Sequence, residues 1–394
     1  MLYSIGIDVG KREHHLVILD ETGQRVGKPQ TIANTRSGFE HCLQTLRTLD
    51  GTLQLALEAT GPYWLALYEY LTQADLAVTV FNPLQVHAYR KTGVRRTKTD
   101  TVDAFWIADL LRIGGSTANT LPDDRTLQLR ELTRFRWQLI DHIGDNKRKV
   151  LNVLDRVFPE YETLFSDVFL ASSRALLKQA ANADEFAAFD LGELTELLRT
   201  HSRGRFGLAH AQKIVDTAKA SIGISLLADA AQLEVACLVS QIEFLQTQVE
   251  QVDTALAELL SQVPQHLTTI PGLGPVTAAT ILGEIGEVNR FATLEKLVAY
   301  AGIDATVHQS GQFNATQMHM SKRGSPYLRR ALWLAAFVAS QHDPELQTYY
   351  ERKRAEGKHH NTILGAICRK LLARIFVVLK EQRPYVQRSN PQTA

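Results

Sequence analysis

The stretch Leu2-Tyr3-Ser4-Ile5-Gly6-Ile7-Asp8-Val9 decides the fold. It is apolar and β-prone, too short for a helix, and it carries one acid near its end. A second such run covers 14–20, a turn follows at Glu21-Thr22-Gly23, and a third run leads to Ile32. The chain therefore opens as a three-stranded meander. A charge at the end of a buried strand is costly unless it is paired or holds a cation, so the position of Asp8 raises the question of where other carboxylates lie.

Working outward, 37–49 reads as helix and 53–58 (LQLALE) as a fourth strand ending on Glu58. Gly61-Pro62 opens a helix running to about Ala74, with the proline suited to a first turn. A fifth strand over 76–81 stops at Asn82-Pro83, and a basic loop carries Arg90, Lys91, Arg95, Arg96 and Lys98. Thr99 or Asp100 then caps a helix that passes Trp106 and stops at Gly114-Gly115. The order β-β-β-α-β-α-β-α predicts an α/β, RNase H-like domain over 1–115. In that topology the fourth strand lies beside the first, so Glu58 comes next to Asp8. Asp100 and Asp103, spaced i, i+3 on one helix face, pack over the same strand ends. Four converging carboxylates repel unless a hard cation sits among them, and an all-oxygen set favours Mg2+ or Mn2+. Two such ions can stabilise the entering and leaving oxygens of phosphodiester cleavage. Asp109, on the same helix, reads as solvated.

The 394 residues are 45% hydrophobic and 22% charged, with net charge +1. That is globular composition with room for two or three domains. No long uncharged apolar run predicts a membrane span, and the start lacks the pattern of a signal peptide. Cys42, Cys237 and Cys368 are scattered, which fits a reducing cytoplasm and argues against zinc. Bulk charge announces no partner, but its distribution does. Besides the 90–98 loop, Lys322, Arg323, Arg329 and Arg330 form one basic cluster, and Arg352, Lys353, Arg354, Lys358, His359 and His360 another. Local patches in a neutral chain suit a phosphate backbone held at defined places.

The remainder reads as helical. A long helix over 123–160 carries Arg125, Arg130, Arg134, Arg136, Lys147, Arg148, Lys149 and Arg156 and is expected to hold RNA, within a helical region spanning 116–224. Residues 225–262 place Leu226, Leu227, Leu233, Val235, Leu238, Ile242, Val249, Val252 and Leu256 at helical spacing, which predicts a helical pair or a coiled coil used for oligomerisation. An all-α C-terminal domain is expected over 263–385, with a disordered tail at 386–394. Within that domain LTTIPGLGPVTAATILGEIG (267–286) reads as a helix-hairpin-helix element, in which Gly272 and Gly274 bring backbone amides to a phosphate. The segment 301–330 holds His308-Gln309-Ser310-Gly311, a polar loop that presents a serine beside the cations Lys322, Arg323 and Arg329. A serine so placed attacks a phosphodiester if a base or metal deprotonates it, although most Ser-Gly loops are turn formers. Spacing alone demonstrates no Ser-His-Asp arrangement, though His308 and Asp304 are near.

GIDVGK, LEATGPY and RRTKTDTVDAFWIADLLR, together with IPGLGPVTAATILGEIG, RFATLEKLVAYAGI, HQSG and SKRGSPYLRRAL, resemble the transposases of the "one-ten" insertion-sequence family, DEDD recombinases related to the Piv-type DNA invertases. The likeness spans nearly the whole chain. It implies a RuvC-like N-terminal domain whose Asp8, Glu58, Asp100 and Asp103 bind divalent metal. It also implies a C-terminal serine that bonds covalently to DNA: Ser310, or failing that Ser321 or Ser325. The resemblance further implies a dimer or tetramer and a structured non-coding guide RNA that pairs with donor and target DNA. Rival readings are a RuvC-like hydrolytic nuclease without serine chemistry, a sugar kinase or actin-like ATPase suggested by GIDVG, and a catalytically idle DNA-binding protein.

Overall fold

The computed structural model describes residues 1–92, 99–114, 121–305, 309–310, 313–314 and 319–387. The chain divides into two compact units. One comprises Met1–Asp123 with Gly286–Thr293, the other Asp124–Ile285 with Leu294–Ala394.

The first unit is a mixed sheet between helical layers. Its elements are β1 (Leu2–Val9), β2 (Glu13–Leu19), β3 (Gln30–Ala33), α1 (Arg36–Arg47), β4 (Thr52–Glu58), α2 (Trp64–Gln73), β5 (Val78–Phe81), α3 (Pro83–Arg90) and α4 (Asp100–Arg112). The strand order is β3-β2-β1-β4-β5. The β1–β2 and β2–β3 pairs are antiparallel, and the β1–β4 and β4–β5 pairs are parallel.

Because side chains alternate along a strand, β1 presents two distinct rows. Ile5, Ile7 and Val9 enter a core with Phe39, Leu46, Leu67 and Leu71 of α1 and α2. Ser4, Gly6 and Asp8 face the other way. There Ala104 and Ala108 of α4 pack with Val17 and Leu19, while Ile107 and Leu110 pack with Ala56, Phe81 and Val86. A Cβ on Gly6 would stand 2.2 Å from the carbonyl oxygen of Ala104 and 2.3 Å from the amide nitrogen of Ala108. Only glycine lets α4 come this close to the sheet. The sequence reading left 82–98 as a turn and basic loop. Residues 83–90 are instead helical, since Pro83 suits a first turn and Val86 has a buried place to go.

In the second unit α5 (Asp124–Val157) is followed by α6 (Ala171–Leu177), α7 (Ala183–Ala187), α8 (Leu191–Ser202) and α9 (Leu208–Lys219), then by α10 (Ala228–Ser261). After these come α11 (Pro275–Ile285), α12 (Leu294–Ala301), β6 (Gln309–Ser310), β7 (Phe313–Asn314), α13 (Pro326–His342), α14 (Pro344–Ala355) and α15 (His360–Glu381). The β6–β7 hairpin corrects the all-α expectation. Helices α5 and α10 run antiparallel. Arg125 reaches the Gln262 carbonyl at 3.2 Å, Arg136 pairs with Asp253 at 3.0 Å, and Asn146 donates to Gln241 at 3.2 Å. Val235, Leu238, Ile242, Val249, Val252 and Leu256 are buried, whereas Leu226, Leu227 and Leu233 are exposed. The expected apolar seam is thus occupied within the chain over most of its length, and it fails at its N-terminal end.

The glycine turn before α11 also departs from expectation. It is preceded by a three-residue 3-10 turn, Leu267–Thr269, rather than a helix. Gly272, at φ +94°, lies against α13, where a Cβ would meet that of Ala339 at 2.7 Å, so its glycine serves packing. Gly274 has open space around it.

Gly6→Ala should cost about 3 kcal/mol, the upper end for overpacking, because the obstructing atoms are backbone. Gly207→Ala, which meets nothing within 4 Å, should cost only the N-cap preference of α9 for glycine over alanine, about 0.5–1 kcal/mol. Urea unfolding of the two variants checks this, and equal costs would contradict the role given to Gly6.

Candidate metal centre and serine loop

The geometry of the acids follows from the two stripes of α4. Ala108, Ala104 and Asp100 recur every four residues, so they line one face. With the alanines seated over Gly6, Asp100 lies one turn further along, toward Asp8. Asp103 stands one turn before Ile107, which packs near Ala56. Ala56 and Glu58 share a face of β4, so Asp103 leans toward Glu58. Ile7 pairs with Leu57, and Asp8 and Glu58 therefore leave adjacent parallel strands side by side. Thr99, not Asp100, caps α4, its side-chain oxygen accepting from the Val102 amide at 3.3 Å. Asp100 is thereby left free to project from the first turn.

Electrostatics registers the convergence. Asp8 is half-buried, and its carboxyl is raised from 3.8 to about 6, first by desolvation and then by Asp103, Asp100 and Glu58, with His15 opposing. Two of the other acids have basic side chains of the chain beside them. Arg90, the last residue of α3, donates to Asp103. His15 Nε2 lies 3.3 Å from Asp100 and 3.6 Å from Glu13. Glu58 accepts from the Thr60 hydroxyl at 2.7 Å. Among the described residues no three His, Cys, Asp or Glu side chains are gathered closely enough to hold a metal ion. The donor set is nonetheless four hard carboxylates, which suits Mg2+ or Mn2+, and the raised Asp8 carboxyl reflects burial first and the neighbouring acids second.

His15 escaped the sequence reading. The signal was available: in an antiparallel pair it stands directly opposite Asp8, whereas His14 points to the other face and lies buried against Phe39. Asp109 is not solvated. It accepts from Tyr89 at 2.6 Å and from Arg112 at 2.9 Å, with 14% of its side chain exposed.

The cations read as nucleic-acid contacts fare unevenly. Arg90 is committed to Asp103, and Lys91 is exposed. Arg95, Arg96 and Lys98 lie outside the described residues. Many of the α5 cations are occupied inside the second unit: Arg130 on the Gly283 carbonyl at 2.7 Å, Arg134 on Glu284 at 2.7 and 3.1 Å, Arg136 on Asp253, and Arg148 on Asp145. Arg329 holds the Ala301 carbonyl at 3.3 Å, and Arg330 bonds Asp141 at 2.8 Å while lying over Trp137. Lys322 and Arg323 are exposed.

Ser310 ends β6, where it pairs with Phe313; His308 and Gly311 lie outside the described residues. The base of this hairpin is closed by the Ala305–Met320 bridge and by Ser321, whose amide and hydroxyl both donate to Asp304. Ser325 caps α13, accepting from the Leu328 amide at 3.1 Å and donating to buried Glu284 at 2.7 Å.

Two family models match the chain. One, described as a transposase and named for the DEDD transposases of IS110, covers residues 5–159. The other, described as the transposase IS116/IS110/IS902 family, covers residues 264–351. The chain is 27% identical to the pilin gene-inverting protein of Moraxella bovis over 98% of each protein. It is 25% identical to the insertion element IS110 uncharacterized 43.6 kDa protein of Streptomyces coelicolor, over 98% of this chain and 95% of that one. It is 26% identical to the insertion element IS900 uncharacterized 42 kDa protein of Mycobacterium paratuberculosis, over 96% of each.

Asp8 binds its proton more readily folded than unfolded, so it costs stability above pH 6. That cost fades as pH falls through about 6 and is gone below 3.8. Asp8→Asn should therefore stabilise the metal-free protein at pH 7 by about 1–2 kcal/mol after allowance for partial exposure. In chelator the advantage over wild type should shrink toward pH 4. Mn2+ should raise the melting temperature of wild type and not of the variant. A destabilised Asp8→Asn in chelator would contradict the proximity of the four acids.

Proposed function

Because this chain belongs to the IS110 family of insertion-sequence transposases, we propose that it cuts and rejoins DNA using the acids of its first unit and a serine of its second. The observation that carries this reading is geometric: β1 and β4, which bear Asp8 and Glu58, are adjacent parallel strands, and α4, which bears Asp100 and Asp103, packs over β1. The sheet order and the placement of α4 over β1 support an RNase H-like, RuvC-type reading of the first unit.

Asp8, Glu58, Asp100 and Asp103 are the residues that would hold Mg2+ or Mn2+. A bound divalent cation supplies Lewis acidity at the scissile phosphate and charge stabilisation at the leaving oxygen. Ser310 is the proposed nucleophile. Its hydroxyl oxygen bonds to phosphorus as the 3′ oxygen departs, and the resulting serine phosphodiester keeps the bond energy, so rejoining requires no nucleotide cofactor. Ser321 and Ser325 fit structural roles, one closing the hairpin base on Asp304 and the other capping α13.

The acids and Ser310 are far apart in sequence and in separate units, and we assign them to a composite site completed between subunits of a homo-oligomer. Sequence choice falls to a structured non-coding RNA pairing with donor and target DNA, with the protein reading backbone and shape.

A suicide DNA substrate should trap a covalent protein–DNA adduct that Ser310→Ala loses completely and Ser321→Ala retains. Adduct formation by Ser310→Ala would favour hydrolysis or another nucleophile. Asp8→Ala mixed with Ser310→Ala should recover activity, and no recovery in any mixed oligomer would count against sharing between subunits.

A further inference from the structure

Between the start of α6 and the turn joining α8 to α9 lies a depression of about 450 Å3, whose lining includes Ser172, His201, Ser202, Arg203, Arg205 and Phe206 and no carboxylate. Its rim is fixed by the turn itself. The Phe206 amide donates to the Ser202 hydroxyl at 2.9 Å, and the Gly204 amide to the Arg199 carbonyl at 2.9 Å. Phe206 is stacked on His210 with ring centres 4.2 Å apart. His201, Arg203 and Arg205 are all exposed on this rim, and neither arginine forms an ion pair among the described residues. Many of the α5 arginines, by contrast, are committed to carboxylates or carbonyls.

Arg203 also occupies a position that disfavours it. It terminates α8 in the left-handed region at φ 56°, ψ 41°, where glycine is the usual residue. Holding a long cation there costs energy that glycine would not, and its guanidinium makes no hydrogen bond, ion pair or ring contact with the described residues. Strain of this kind at an exposed site is compatible with use by a ligand.

We propose that this depression is a second nucleic-acid site, taking the phosphodiester backbone of a strand; it rests on the reading of the chain as a nucleic-acid enzyme. The exposure of Arg203 and Arg205 decides for a polymer over a small anion. Exposed pairs are individually weak, so one free phosphate gains little here. A strand running along the rim releases a counterion at each contact and sums the gains. The hydroxyl of half-buried Ser202 offers a donor to a phosphate oxygen, and Phe206 gives the floor an aromatic surface.

The test is fluorescence anisotropy on the full chain, with wild type, Arg203→Gly and the double variant Arg203→Gly/Arg205→Ser. The probes are mixed-sequence single-stranded RNA, single-stranded DNA and duplex DNA. Arg203→Gly relieves the left-handed strain and should leave the melting temperature equal or higher, so lost binding cannot be ascribed to unfolding. The double variant should bind at least one probe about tenfold more weakly and flatten its salt dependence by about 1.5 in log–log slope. Its Mn2+ binding at the acids, read by calorimetry, should match wild type. A loss confined to RNA assigns the rim to RNA, and a loss with either DNA probe assigns it to DNA. If wild type binds and the double variant matches it on every probe, the site is overturned. Wild type that binds no probe overturns the reading of the chain, and this site with it.

Discussion

The close approach of α4 to β1 at Gly6 is the constraint on which the rest of the first unit depends. A helix laid on a sheet normally stands off by the thickness of side chains. Here Gly6 contributes none, and Ala104 and Ala108 contribute a methyl each, so backbone nearly meets backbone. That contact sets the depth and rotation of α4, and through the helical repeat it aims Asp100 and Asp103 at the ends of β1 and β4. The price is electrostatic: burial first, and the neighbouring carboxylates second, raise Asp8 to about 6. Arg90 pairs with Asp103, and His15 lies beside Asp100.

The second unit handles charge differently. Its α5 arginines look, on the primary sequence, like a basic stripe for nucleic acid, yet several of them bind α10 and α11. Glu284 is the clearest case. Fully buried, it accepts both nitrogens of an Arg134 fork and the Ser325 hydroxyl. A buried pair of this kind contributes little net stability but is costly to break, and it pins α5, α11 and the start of α13 to one another. Lys322, Arg323, Arg203 and Arg205 are among the exposed cations of this unit that form no ion pair with the described residues.

Much of the candidate metal centre was legible in the sequence because each acid sits at a recognisable boundary. Asp8 and Glu58 end β-prone runs, and Asp100 and Asp103 begin a helix whose cap and stop are both written locally. The contributions of His15 and Arg90 were not. His15 reaches the centre through antiparallel register, and Arg90 through a helix whose start, Asn82-Pro83, reads equally well as a turn. Asp109 looked solvated because its partner Tyr89 lies on that same unforeseen helix. Leu226, Leu227 and Leu233 have the right period for the α10 seam. Periodicity reports which residues share a face, however, and does not report whether another element covers it.

The primary sequence by itself determined the element order, the acids at their boundaries and the family motifs, since these rest on local propensity and on spacing along one strand or helix. Only the tertiary structure decided which charges cancel one another inside the protein and which stay available to a partner. That outcome depends on distances of a few ångströms between residues as far as 189 positions apart, as with Arg330 and Asp141, and no local pattern of residues encodes such distances.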